Sequence, residues 1–174
     1  MAVELIKPVL QIVGYQNSGK TTLVMKIIEA LIAKDMRVGT IKHHGHGGFP
    51  NSYEGDKDTA RHRFAGAQVT AVEGAGMLQI HALNAHGWAL HDLLSFYINL
   101  PIDIILIEGY KYENFPKIVL LRSEDDEKLL EQMENVQAVI YWYNSRKITK
   151  MGIPAFQISD EMDYLNWITA YLKG

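Results

Sequence analysis

The chain has 174 residues, with 17 Lys+Arg, 20 Asp+Glu, 7 His and no Cys. The length suits one core, so a single domain over residues 1–174 is expected, and without Cys there is no disulfide framework, thiolate zinc site or cysteine nucleophile. A formal net charge of -3 and a pI near 6.1 argue against a nucleic-acid coat, and 48% hydrophobic with 21% charged residues is ordinary globular composition.

The N-terminus lacks a basic region followed by a long apolar stretch, and the longest apolar runs are strand-sized. Neither a secretory signal nor a membrane span is expected, which points to the cytoplasm. Residues 9–13 read as a first strand stopped by Gly14. A helix follows over 21–34, with Leu23, Val24, Ile27, Ile28, Leu31 and Ile32 at one-face spacing. Residues 38–41 form a second strand, and 45–57 a Gly/Pro/Asn/Asp-rich loop. A short helix is expected over 59–65 with Asp58 as its cap. Strands 69–72 and 77–81 flank Glu73-Gly74-Ala75-Gly76 and read as a β-hairpin beside a parallel core. A helix over 86–98 precedes a nearly continuous apolar strand at 102–107. Further strands are expected at 118–121, 136–141 and 155–158, with a polar helix at 125–133 and a closing amphipathic helix at 162–172. This alternation predicts an α/β fold, a doubly wound, mostly parallel sheet flanked by helices.

Gly14-Tyr15-Gln16-Asn17-Ser18-Gly19-Lys20-Thr21, followed by Thr22, matches G-x-x-x-x-G-K-[ST] between a strand and a helix. That is a P-loop. Backbone N–H groups of such a loop converge on a phosphate chain, and the helix presents its positive end to the anion. Lys20 is expected to reach the β/γ-phosphates and the Thr21 hydroxyl to coordinate Mg²⁺. The alternative is a chance strand–turn–helix.

Two acids bracket the 102–107 strand, Asp103 near its start and Glu108 at its end. Five residues separate them by ~16 Å, and ligands bind beyond the carboxyl ends of such strands. Glu108 therefore takes the second metal or water-polarising role, the alternative being a strand-terminal Glu in solvent. Gly109 then allows a sharp turn.

Lys42-His43-His44-Gly45-His46 follows the second strand at the same edge. Three imidazoles could hold a metal. A solvated loop touching an anionic ligand through Lys42 and His43 is the competing reading, and a purely structural loop the third. In 56–63, Asp58 could serve the metal and Arg61 or Arg63 a phosphate, against a solvated helix with local ion pairs. After the 136–141 strand comes Asn144, but the Lys and Asp of a guanine-reading Asn-Lys-x-Asp are replaced by Ser145 and Lys147. Residues alone do not choose GTP over ATP.

The order Gly14 to Thr22, Thr40-Ile41-Lys42-His43, Gly55-Asp56-Lys57-Asp58-Thr59 with Arg63-Phe64-Ala65-Gly66-Ala67, and Ile107-Glu108-Gly109-Tyr110-Lys111 with Pro116-Lys117-Ile118 resembles the molybdopterin-guanine dinucleotide biosynthesis adaptor (MobB) family over about residues 8–172. The resemblance implies a GTP-binding homodimer with weak GTPase activity. Its expected partners are the molybdopterin guanylyltransferase and the molybdenum cofactor that receives GMP. It carries Gly19, Lys20 and Thr21 over to phosphate and Mg²⁺, places Glu108 and Lys111 near the nucleotide, and extends to Lys42, His43 and Asp58. A small-molecule kinase using Glu108 or Asp58 as base, and a metal-insertion GTPase using His43, His44 and His46, are the other readings.

Overall fold

The computed structural model describes residues 7–45, 57–145 and 148–174. Within them lie eight strands and four α-helices. In chain order these are β1 (Val9–Gly14), α1 (Lys20–Ile32), β2 (Val38–Lys42), α2 (Lys57–Phe64), β3 (Val69–Gly74) and β4 (Met77–Ala82). There follow α3 (Leu90–Ile98), β5 (Ile104–Glu108), β6 (Lys117–Leu121), β7 (Val136–Tyr141), β8 (Ala155–Gln157) and α4 (Glu161–Lys173).

Six strands form one sheet in the order β2-β5-β1-β6-β7-β8, and every pairing in it is parallel. Because side chains alternate along a strand, the two faces carry different sets. Leu10, Ile12, Ile104, Leu106, Ile118 and Leu120 pack on α1 and α4 through Leu23, Ile27, Leu31, Tyr164 and Ile168. On the other face Val9, Ile105 and Ile107 meet Leu90 and Leu94 of α3. Val13, Val119, Leu121 and Val139 meet Leu129 and Ile148. Both faces are covered, which is why the central strands read as apolar runs without alternation.

The hairpin β3–β4 forms a separate two-stranded antiparallel sheet. Its strands are longer than expected, because Gly74 pairs with Met77 and only Ala75 and Gly76 turn, both at positive φ. That is a two-residue primed turn. The expected helix 86–98 starts only at Leu90. Asn84 holds the preceding turn, its Nδ2 donating to Gly87 O at 2.7 Å and its Oδ1 accepting from His86 N–H. The expected helix 125–133 is instead a 3₁₀ stretch, Glu124–Gln132. There Asp126 accepts from the Arg122 and Ser123 N–H groups, the local side-chain bonding that competes with an α-helix. Asp58 does not cap α2, since the helix already begins at Lys57.

Strand β5 runs Ile104–Glu108, two residues later at its start than expected and one later at its end. Asp103 precedes it and is clamped by Arg37: Nε donates at 3.0 Å, Nη2 at 2.7 Å and the backbone N–H at 2.8 Å. These donors hold its carboxyl well below the usual range, at about 2. The folded value lies below the unfolded one, so the stabilisation is present above ~pH 4 and lost as pH falls through the folded value. Asp103→Asn should therefore show a smaller drop in urea midpoint between roughly pH 5 and pH 2 than the unaltered chain. An equal drop in both would mean that the clamp contributes nothing to acid lability.

Candidate functional site

The carboxyl ends of β1, β2 and β5 and the start of α1 enclose a cleft of about 1040 Å³. Residues 14–19 form its floor. A side chain at Gly14 is excluded, since a Cβ there would lie 2.6 Å from Ser18 Oγ and 2.8 Å from Leu120 O. Ser18 is buried, and its Oγ has no hydrogen-bond partner. Such an orphaned group calls for an external partner. Gly19 is the N-cap of α1, with no side-chain acceptor on the first turn and no acidic residue in it. The positive helix end is left for an anion. Lys20 folds back, its Nζ donating to Tyr15 O at 2.6 Å. Burial pushes its pKa down, against the opposing pull of Glu108. Arg122 fixes the loop from below by donating to Asn17 O at 2.8 Å.

Glu108 ends β5 with its side chain only 12% exposed. Thr21 Oγ1 donates to Glu108 Oε1 at 2.9 Å. Lys42 Nζ lies 3.0 Å from the same Oε1 and 3.3 Å from Thr21 Oγ1. Hard oxygens from a hydroxyl and a carboxylate, already sharing one cation, fit a Mg²⁺ site. Gly109 then turns at φ +97, where a Cβ would stand 3.0 Å from that of His43. Tyr110 also has positive φ. Buried Gln11 holds this turn, its Nε2 donating to Gly109 O at 3.2 Å and Tyr110 O at 2.8 Å. Buried Lys117, paired in register with Gln11, donates to Glu113 O at 2.7 Å; burial pushes its pKa down. The far wall is aromatic and cationic. His43 and Tyr110 rings are 4.6 Å apart, and Lys111 Nζ sits 5.0 Å from the Tyr15 ring centroid and 5.7 Å from that of Tyr112.

The cleft thus gathers Gly14, Gln16, Asn17, Ser18, Gly19, Lys20, Thr21, Thr22, Lys42, His43, Glu108, Gly109 and Lys111. It does not gather Asp58. That residue lies on α2, 3.8 Å from Arg61, and α2 packs on β3. Arg63 donates to Thr70 Oγ1 at 3.4 Å, and no arginine is among the described residues lining the cleft. His43 and His44 line it, while His46 lies outside the described residues. Among the described residues no three His, Asp or Glu converge as a metal cage. Asn144 follows β7, and its Oδ1 accepts from Gln157 Nε2 at 2.8 Å. Sequence reasoning missed Gln11, Lys117, Tyr15, Tyr110 and Tyr112. A signal existed for Gln11: a polar side chain inside a strand buried on both faces must find partners.

The family model described as "Molybdopterin guanine dinucleotide synthesis protein B" matches residues 9–142. The "Probable molybdopterin-guanine dinucleotide biosynthesis adapter protein" of Bacillus subtilis (strain 168) is 41% identical over 167 residues, 96% of this chain and 94% of that one. The "Molybdopterin-guanine dinucleotide biosynthesis adapter protein" of Haemophilus influenzae is 35% identical, over 92% of this chain and 89% of its own. The crystal structure of Bacillus subtilis MobB superposes with a TM-score of 0.80 at 39% identity, covering 96% of this chain and 99% of that one. Fold, sequence and the order of the motifs agree, and the chain belongs to the MobB family.

Proposed function

We propose that this chain is an adaptor of molybdopterin-guanine dinucleotide synthesis that holds GTP with Mg²⁺ in the 14–21 cleft. It works beside the guanylyltransferase that attaches GMP to molybdenum cofactor, and it hydrolyses GTP only slowly. The observation that carries nucleotide binding is the cradle itself, with an orphaned Ser18 Oγ, an uncapped α1 start and Lys20 beside them. The guanine base and the pathway rest on the relatives' adapter role.

In this reading the backbone of 16–21 and the Lys20 ammonium bind the phosphates, and Thr21 and Glu108 hold the metal. Bound Mg²⁺ supplies charge neutralisation on the phosphate oxygens. Slow turnover is part of the proposal. The described residues lining the cleft include no arginine, so they supply no cis arginine finger, a device worth orders of magnitude in other GTPases. The same lack weighs against the kinase reading, which needs arginines closing over the phosphates.

A homodimer is part of the proposal. On β3–β4, Val69, Leu78 and Ile80 share one face by register and are all exposed. A small sheet with such an exposed, mostly apolar face, interrupted by Glu73 opposite Leu78, is the kind of surface that a second copy covers.

Nucleotide binding, turnover, metal dependence and oligomeric state test this reading. Saturating GTP with Mg²⁺ should raise the melting temperature by roughly 5–10 °C. ATP should do less, and Lys20→Ala should lose roughly 10–100-fold in GTP affinity with an unchanged circular dichroism spectrum; equal stabilisation by ATP would remove the guanine assignment. Steady-state GTP turnover should stay below ~1 s⁻¹. Glu108→Gln should keep nucleotide affinity yet lose much of its Mg²⁺ dependence, while Asp103→Asn leaves both intact. A greater effect at Asp103 would displace Glu108 from the site. Leu78→Asp with Ile80→Asp should convert a dimer to a monomer by light scattering, and a dimer surviving both would place the contact elsewhere.

A further inference from the structure

Strands β2 and β5 pair in parallel with Lys42 opposite Glu108, so the two side chains leave neighbouring strands on one face of the sheet. Their ion pair is therefore built into the strand register. The carboxylate is the fixed member, mostly enclosed at the strand end. Lys42 is the movable one. Its side chain is 59% exposed, and a four-carbon stem lets an ammonium relocate without moving the backbone. Its Nζ touches both Glu108 Oε1 and Thr21 Oγ1, the two oxygens that fit a hard divalent cation. An ammonium and a divalent ion compete for Oε1 and Oγ1, since at contact distance they draw on lone pairs of the same two atoms and repel each other.

We propose that Lys42 is the resident counter-cation of the Thr21–Glu108 pair. It neutralises Glu108 in the metal-free protein and leaves when a divalent cation binds those oxygens, carrying its ammonium out into the cleft. The inference rests on the reading that Thr21 and Glu108 hold the metal. It adds that metal binding is a cation exchange and not the filling of an open site. Lys42 therefore sets how much metal the site requires. The groups sharing the cleft with it are Lys20, Lys111, His43, His44 and Glu113. A released ammonium joins a wall that already carries Lys111, so metal loading raises the affinity of that wall for a second anionic group, a phosphate or carboxylate. The two bindings are coupled with one sign.

The test uses the full chain with saturating GDP and Mn²⁺, the metal followed by electron paramagnetic resonance. Lys42→Met should lower the half-saturating Mn²⁺ concentration about fivefold or more, whereas Lys42→Arg, which keeps a pairing cation, should not lower it. In the unaltered chain, acetylation of Lys42 read by mass spectrometry should become several times faster when Mg²⁺ is added at fixed GDP. Lys173, at the end of α4, serves as internal reference. An unchanged or weakened metal affinity in Lys42→Met overturns the exchange, and so does a Lys42 reactivity that Mg²⁺ leaves constant or lowers. If the unaltered chain shows no metal-dependent GDP binding, the metal reading itself fails and takes the exchange with it. Metal-dependent binding without the Lys42 response removes only the exchange.

Discussion

The structure depends on the register of four adjacent parallel strands, β2, β5, β1 and β6. Ile12 pairs with Glu108, Lys42 with Glu108, and Gly14 with Leu120. Side chains alternate faces with period two, so a slip of one residue in β5 would carry Glu108 to the opposite face, away from Thr21. The core prevents that slip. The same shift would exchange Leu106, packed toward α1, with Ile105 and Ile107, packed toward α3. The cleft's geometry is thus a by-product of the two apolar layers. The few residues at the strand ends need no further device to find one another.

The turn after β5 is a different case, because buried polar side chains hold it in addition to the packing of Tyr110 and Phe115 on the α3-facing core. Two consecutive residues, Gly109 and Tyr110, take positive φ, a conformation that costs free energy at the tyrosine. Gln11 and Lys117 offset that cost from beneath by donating to the carbonyls of residues 109, 110 and 113. Both are buried polar groups in central strands, where an apolar residue would fold more easily. Gln11 Oε1 even remains without a partner. A fold that tolerates this in its centre gains a fixed platform for Tyr110, Lys111 and Tyr112. The stability sacrificed in the core reappears as order in the cleft wall.

Much of this was legible in the sequence, and the reasons are local. The loop 14–21 announces itself because its glycines, lysine and threonine have contiguous roles between a strand and a helix. Choosing Glu108 over Asp103 needed only strand length, and Asp103 indeed sits with Arg37 at the far end. Asp58 was grouped with the site because charge density carries no direction. Its helix packs on the hairpin, and its charge faces Arg61. The 3₁₀ stretch 124–132 read as a helix because Asp126's grip on the preceding backbone is a three-dimensional choice. Lys117 falls one residue outside the expected strand 118–121, and periodicity cannot reveal a lysine whose ammonium is spent on a carbonyl within the fold.

The cleft has two unlike halves, and this bears on what kind of protein it makes. The half on α1 is backbone, helix end and Lys20, a surface that recognises charge and little else. The half beyond Glu108 is rings and ammonium groups, His43, Tyr110, Lys111 and Tyr112. At about 1040 Å³ the whole is larger than a phosphate chain fills. An autonomous phosphoryl-transfer enzyme must enclose its transferring group and surround it with positive donors. Here the Lys111 ammonium on the far wall is turned onto tyrosine faces. On the proposed function, a cleft whose far-wall ammonium is engaged in this way is better suited to holding a nucleotide for another protein than to consuming it.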